Sequence, residues 1–268
     1  MKLIVCIKQV PDTTEVKLDP KTGTLIRDGV PSIINPDDRA ALEVALKMKD
    51  ANLGTTVTVI CMGPKQADAA VREALAMGAD SAIIVSDRAF AGSDTWATAN
   101  VISSAIQKIM DYDLVFCGRQ AIDGDTAQVG PQIAERLNIP QVTYARSVKV
   151  LGDSRYEVCR ELDDEQQIVE VTGPALITVV HGLEPIRYPD FRRIFQAYSG
   201  VFEVLNWSQE ELKIDANKIG LKSSPTNVKC TFPPELRKSG IRLEGTNEEM
   251  VKQLFDNMLG EHILKRRA

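Results

Sequence analysis

Two short stretches of this chain combine residue types that hold anions without a metal or a nucleophile. The denser is Gly118-Arg119-Gln120-Ala121-Ile122-Asp123-Gly124-Asp125-Thr126-Ala127-Gln128-Val129-Gly130. A glycine-bearing loop that opens a helix leaves backbone N–H groups unpaired at the positive end of the helix dipole, which suits a phosphate. Arg119 adds charge-assisted hydrogen bonds, and Gln120, Thr126 and Gln128 are neutral donors. Asp123 and Asp125 argue against a bare triphosphate, which carboxylates repel. They suit helix caps or acceptors for ribose hydroxyls, and because adjacent caps are commoner than acid/base pairs they are not assigned a catalytic role. Gly92-Ser93-Asp94-Thr95 repeats the loop-to-helix arrangement upstream. Read alone, each loop is only a capped turn; two on one rim suit the two phosphates of a dinucleotide. Asn35-Pro36-Asp37-Asp38 opens a third helical pattern in the same way.

Other chemistries find little support. Walker A, GxSxG and HExxH sequences are missing, as is a G-x-G-x-x-G after the first apolar run. The five cysteines, Cys6, Cys61, Cys117, Cys159 and Cys230, form no CxxC, and the two histidines, His181 and His262, lie far apart. Neither a disulfide framework nor a metal cluster is predicted, so any redox chemistry belongs to an organic cofactor. A net charge of -5, with basic and acidic residues interspersed, speaks against nucleic acid. No apolar run reaches the ~20 residues of a membrane helix. The opening MKLIVCIKQVPD lacks the apolar core and cleavage site of a signal peptide. A cytoplasmic protein is expected.

The elements that must position these loops are legible from periodicity. Apolar runs at Leu3 to Ile7, Val57 to Cys61, Ala82 to Val85, Leu114 to Cys117 and Leu176 to Val180 suggest buried parallel strands. Helical patterns at Asp37 to Lys49, Gln66 to Met77, Thr95 to Met110 and Ala127 to Leu137 alternate with them. Such alternation predicts an α/β fold with a doubly wound, mostly parallel sheet, whose carboxyl rim carries the helix-opening loops. Residues 146 to 170 alternate polar and apolar around Asp163-Asp164, which predicts a hairpin excursion. With 268 residues, one nucleotide-binding domain over 1–199 and a C-terminal arm and helix over 200–268 are expected. Residues 200 to 245 are polar and punctuated by Ser-Pro and Pro-Pro, and a stripe of Met250, Val251, Leu254, Phe255 and Met258 marks a final helix over Asn247 to Leu264.

Several segments together resemble the beta subunits of electron-transferring flavoproteins over nearly the whole chain. They are CIKQVPDT, DGVPSIINPDD, REALAMGAD and GRQAIDGDTAQVGPQIAERLNIPQVTYA. A further set, Arg160, Asp163, Asp164, Gln167 and Val169 followed by Pro174, Leu176, Ile177 and Thr178, is similar to a second pattern of the family. The resemblance implies an adenine nucleotide alpha hydrolase-like sheet and an arm that embraces an alpha subunit bearing its own FAD. Carried over by position, it implies nucleotide contacts at Cys6, at Asn35, Pro36, Asp37 and Asp38, and at Met62 and Gly63. It also implies contacts at Gly118, Arg119, Gln120, Ala121, Ile122, Asp123, Gly124, Asp125, Thr126, Ala127, Gln128 and Val129.

Members of that family hold either AMP or FAD here. The stretch SDRAFAGSDTWATAN looks like the electron-bifurcating group, in which a Gly-x-Asp-Thr loop meets the flavin nucleotide's phosphates, and this adds Gly92, Asp94, Thr95 and Thr98. FAD is therefore expected, with NADH as donor and with ferredoxin or flavodoxin and the alpha-subunit FAD as acceptors. No side chain need act as a catalytic base, because the flavin carries the electron chemistry. Phe191 falls where the family places an apolar anchor for a partner dehydrogenase, whereas a core role is the plainer reading of Phe191 and Phe195. The lysines that usually follow the anchor are missing, so the partner is left between an acyl-CoA or enoyl-CoA enzyme and a 2-hydroxy-acid dehydrogenase. Two other classes stay open. An AMP- or ATP-binding regulatory module similar to stress proteins explains the loops but not the arm, and a nucleotide-cleaving enzyme lacks a nucleophile.

Overall fold

A computed structural model describes residues 1–12, 31–182, 185–229, 240–261 and 263. They fall into two compact units, Met1–Lys229 and Cys230–Ala268. In the first, β1 (Lys2–Ile7), β2 (Gln9–Pro11) and β3 (Ser32–Ile34) precede α1 (Pro36–Ala51). Then β4 (Thr56–Met62) leads to α2 (Asp68–Met77), β5 (Ser81–Val85) to α3 (Thr95–Ile109), and β6 (Leu114–Gly118) to α4 (Val129–Leu137). The strands β7 (Gln141–Gly152), β8 (Arg155–Glu161), β9 (Gln166–Thr172) and β10 (Ala175–Val179) follow. The unit closes with α5 (Phe191–Tyr198), β11 (Val204–Trp207), and the short α6 (Gln209–Leu212) and α7 (Gly220–Ser223).

The main sheet runs β11-β5-β4-β1-β6-β10-β7-β8-β9. Its members are parallel from β11 to β7, and β8 and β9 extend it as an antiparallel meander. From β1 the order builds outward to β4 and β5 on one side and to β6 and β10 on the other. The reversal therefore falls between β1 and β6, where an open α/β sheet parts to form a crevice at its carboxyl edge.

Strand residues alternate between two cores. Leu3, Val5 and Ile7 pack with Leu42 and Leu46 of α1 and Val71 and Leu75 of α2. Ile4, Cys6, Val115 and Cys117 pack with Val101 and Ile106 of α3 and Ile133 of α4. Burial on both faces is why these strands read as unbroken apolar runs. Each fully buried aliphatic side chain contributes about 1.5–3 kcal/mol relative to exposure.

Three differences from the sequence reading stand out. The predicted hairpin is a full strand pair beside a long β7, so the excursion is part of the sheet. Residues 200–229, read as the start of an arm, belong to the first compact unit: β11 pairs with β5, and Leu212 and Ile219 are buried. In the second unit, α8 (Asn247–Gly260) ends before the predicted Leu264, which lies outside the described residues. A capping box opens α8, with Glu249 N–H donating to Thr246 Oγ1 and Thr246 N–H to Glu249 Oε2. No described helix is long and apolar enough to cross a membrane.

Candidate functional site

The carboxyl ends of β4, β1 and β6 are neighbours, and they bring most of the predicted residues together. Cys6 stands in register with Ile60 on one side and Cys117 on the other. Met62 ends β4, and Gly63 N–H donates to Val85 O at 3.1 Å. Gly118 ends β6 beside the N-terminus of α1.

That junction is held by three almost fully buried polar side chains. Asp38, 7% exposed, accepts hydrogen bonds from the backbone N–H groups of Lys8 at 2.8 Å and Gly118 at 2.9 Å. Only glycine fits at 118, since a Cβ there would lie 2.3 Å from Asp38 Oδ1 and 2.6 Å from Asp38 N. Burial pushes the Asp38 carboxyl up to about 7, against the pull of these hydrogen bonds and of the Asn35 side chain. Asp37 accepts from the N–H groups of Gln120 at 3.3 Å and His181 at 3.2 Å, and from His181 Nδ1. Arg119 Nε lies 3.4 Å from Asp37 Oδ2, buried and without a hydrogen bond. Asn35 donates to Gln120 O at 2.7 Å and accepts from Ile122 N–H at 3.0 Å. The Asn35 side chain was expected to cap its own helix. It makes no capping bond and fastens the neighbouring loop instead.

The loop itself departs from the expected caps at Asp123 to Thr126. Gly124 and Asp125 N–H groups both turn back to Ala121 O, and Asp125 and Ala127 adopt positive φ of 50° and 52°, which breaks helical continuity. The helix therefore starts two residues after the predicted Ala127, with Gln128 at its N-cap and no side-chain cap bond. Asp123 is held by Lys8 Nζ at 2.6 and 2.8 Å, and Asp125 accepts from Gln120 Nε2. Positive and negative φ alternate through Asp125, Thr126, Ala127 and Gln128. Alternation of this kind is the backbone pattern of an anion-binding nest, in which successive N–H groups share one concavity. Among the described residues, no acceptor meets the backbone N–H groups of residues 126 to 130. Ile122 is 48% exposed beside them in sequence.

The second predicted loop reaches the first. Thr95 Oγ1 donates to Gln128 Oε1 at 2.9 Å, and Gln132 Nε2 lies 3.4 Å from the same hydroxyl. Asp94 caps α3 as expected, accepting from Ala97 N–H at 3.0 Å. Its other oxygen accepts from Thr226 N–H at 2.9 Å and Thr226 Oγ1 at 2.8 Å. Burial pushes the Asp94 carboxyl up, but the hydrogen bonds from Ala97 and Thr226 outweigh it and hold the group below the ordinary range. Thr98 lies one turn into α3, and its N–H donates to Asp94 O. Gly92 stands at the head of the loop with φ of +73°.

Residues 22–206 match the family model described as the electron transfer flavoprotein domain. The chain is 53% identical, over 98% of its length and all of the relative's, to electron transfer flavoprotein subunit beta of Thermoanaerobacterium thermosaccharolyticum. The chain belongs to the electron transfer flavoprotein family. It is also 48% identical to the caffeyl-CoA reductase-Etf complex subunit CarD of Acetobacterium woodii. That match covers 98% of the chain and all of the relative. To the acryloyl-CoA reductase electron transfer subunit gamma of Anaerotignum propionicum it is 46% identical, with the same coverage of each. These matches identify a beta subunit, and a beta subunit works beside an alpha subunit.

In this electron transfer flavoprotein subunit, α5 presents an exposed aromatic pair. Phe191 and Phe195 are 73% and 66% exposed, with ring centroids 5.4 Å apart in an edge-to-face pair. They are not core residues, as the plainer sequence reading had them. Asp190 caps the helix, Arg193 Nε donates to Leu75 O at 2.9 Å, and Arg187 pairs with Glu43 at 2.9 Å and Asp50 at 2.7 Å. Sequence reasoning also missed Lys8, His181 and Thr226. Lys8 lies inside the CIKQVPDT segment but has no pattern to mark it; His181 was weighed only as a metal ligand; Ser224-Pro225-Thr226 read as arm punctuation.

Proposed function

We propose that this beta subunit binds FAD at the β4-β1-β6 rim and that the flavin accepts hydride from NADH. Its electron pair divides between ferredoxin or flavodoxin and the alpha-subunit FAD, which exchanges electrons with a partner dehydrogenase. The observation that carries this reading is the run of N–H groups at residues 126 to 130 that meet no acceptor among the described residues, tied to the Gly92–Thr95 loop by the Thr95–Gln128 hydrogen bond. Orphan donors at a helix N-terminus fit phosphate, and a second loop alongside fits a second phosphate. FAD, when bound, supplies both hydride and one-electron chemistry.

The chain's own residues bind and orient. Backbone N–H groups of residues 126 to 130 receive the phosphates, and Lys8 takes up the charge of Asp123, which would otherwise repel them. Asn35, Asp37 and Asp38 keep the loop root rigid, and no titratable side chain is required to move a proton. The exposed Phe191 and Phe195 face the dehydrogenase, with the arginines of this segment fixing the helix to α2 and α1. The names of the relatives from Acetobacterium and Anaerotignum favour a dehydrogenase acting on a CoA thioester over one acting on a 2-hydroxy acid.

Copurification with the alpha subunit, followed by acid extraction and quantification of FAD and AMP, tests the reading. Two FAD and no AMP per heterodimer are expected. One FAD and one AMP would overturn the bifurcating reading and leave a beta subunit with a structural nucleotide.

A further inference from the structure

A segment of the chain far from the rim in sequence is laced onto the Gly92–Thr95 loop. Gly220 N–H donates to Ser93 Oγ at 3.1 Å, and Leu221 N–H to Ala91 O at 3.1 Å. Ser224 Oγ accepts from Asp94 N–H at 2.8 Å and lies 2.9 Å from Gly220 O and 3.4 Å from Gly92 O. Thr226 closes the lacing with its two bonds to Asp94 Oδ2. The fit is close enough to require glycine on both sides. Gly220, at φ +70°, would bring a Cβ to 2.3 Å from Ala89 O, and Gly92, at φ +73°, would bring one to 2.9 Å from Leu221 Cβ.

Asp94 is thus divided between two duties. One oxygen caps α3 and the other anchors Thr226, so its carboxylate is spent inside the protein, and a carboxylate turned to phosphate would oppose binding. Its neighbour Thr95 donates to Gln128, the N-cap of α4 and a member of the run of N–H groups that meet no acceptor among the described residues. The bonds of Ser224 and Thr226 to Asp94 and the bond of Thr95 to Gln128, at the N-cap of α4, are therefore joined through the one peptide link between Asp94 and Thr95.

From this geometry we infer that Ser224 and Thr226 are positioning residues for the phosphate-binding rim, acting through Asp94 to set the Thr95–Gln128 junction. The inference rests on the adenine-nucleotide reading above and adds residues that no loop motif contains. Thermodynamic reciprocity follows: a nucleotide on the rim tightens residues 219 to 226 by the same factor with which they tighten the nucleotide.

The test uses the full chain copurified with its alpha subunit and stripped of nucleotide, titrated separately with AMP and with FAD. Thr226→Val and Ser224→Ala are expected to weaken binding roughly three- to tenfold, in line with loss of the Thr226 hydroxyl bond to the Asp94 carboxylate in the first and of the Ser224 hydroxyl bond to the Asp94 N–H in the second. Thr226→Ser keeps the hydroxyl and restores the wild-type Kd. Asn100→Ala serves as a control for loss of stability, because it removes the Asn100 Nδ2 bond to Lys218 O at 2.9 Å and leaves the Ser224 and Thr226 bonds to Asp94 in place. It lowers thermal stability and leaves Kd unchanged. Should a variant fold poorly, hydrogen exchange on the wild type decides: the Leu221 and Thr226 amides slow when AMP or FAD is added. Equal Kd values for wild type and Thr226→Val, or exchange indifferent to nucleotide, overturn the inference. Wild type that binds neither ligand overturns the nucleotide reading and this inference with it.

Discussion

Asp38 illustrates how much of the rim depends on single side chains. Its two oxygens join the end of β1 to the end of β6 through the N–H groups of Lys8 and Gly118. Burial raises its pKa from the unfolded carboxylate value to about 7, so the folded state holds a proton that the unfolded chain has already released. A raised carboxyl pKa means that stability falls as pH rises from about 4 to about 7, at up to about 1.4 kcal/mol per pH unit, and levels off above. Denaturant unfolding at several pH values should show this slope in the wild type and its loss in Asp38→Asn. The amide substitution carries its own cost of about 1–3 kcal/mol at low pH, since one of the two N–H groups then faces an NH2 donor. The gap between the proteins should therefore narrow as pH rises; a constant gap would show that Asp38 is ionised throughout. Asp37 and Asn35 serve the same junction, and both were legible as rim residues because Asn-Pro-Asp-Asp marks a helix start. Their true task was not legible, because a motif shows where a side chain begins and not which loop, more than 80 residues away, it reaches.

Secondary-structure elements were easier to read than their attachments. Five parallel strands, β1, β4, β5, β6 and β10, and the four crossover-type helices lie within two residues of the periodic patterns, since burial on both faces or on one stripe leaves a strong mark on composition. β11 was invisible, because Val204–Trp207 is short and its partner β5 lies more than 100 residues earlier. The segment from Gln209 to Thr226 was equally hidden: it is held by backbone and hydroxyl hydrogen bonds, which polar residues provide without periodicity. At this scale α5 makes the sharpest prediction. Phe191→Ala removes an exposed ring and should leave thermal stability nearly unchanged while slowing electron transfer to the cognate dehydrogenase about tenfold or more, as expected for an aromatic anchor. Arg193→Ala frees the helix from Leu75 O and should lower stability by about 1–3 kcal/mol as well as partner transfer. Stopped-flow reduction of the dehydrogenase and calorimetry of the isolated heterodimer separate the two effects; unchanged transfer in Phe191→Ala would place the docking face elsewhere.

Across the first unit, the crevice between β1 and β6 is walled by one helical layer on each side, α1 and α2 behind one face and α3 and α4 behind the other. Asp37 and Asp38 govern the loop from the first layer, and Thr95 governs it from the second. Beneath that crevice lie three sulfur atoms with a use of their own. Cys6, Cys61 and Cys117 are free and buried at the carboxyl ends of the three central strands. Burial pushes the Cys61 thiol up to about 12, and a hydrogen bond with Cys6 together with burial raises the Cys117 thiol well above its ordinary value. Because the thiolate is the species that reacts, a maleimide at neutral pH meets these groups only in the moments when the sheet edge gapes. The thiols are in effect a clock for how often the subunit breathes: saturating AMP or FAD should stretch peptide-resolved labelling times for Cys6 and Cys117 by about the ratio of ligand concentration to Kd, while half-exposed Cys159 keeps its own pace.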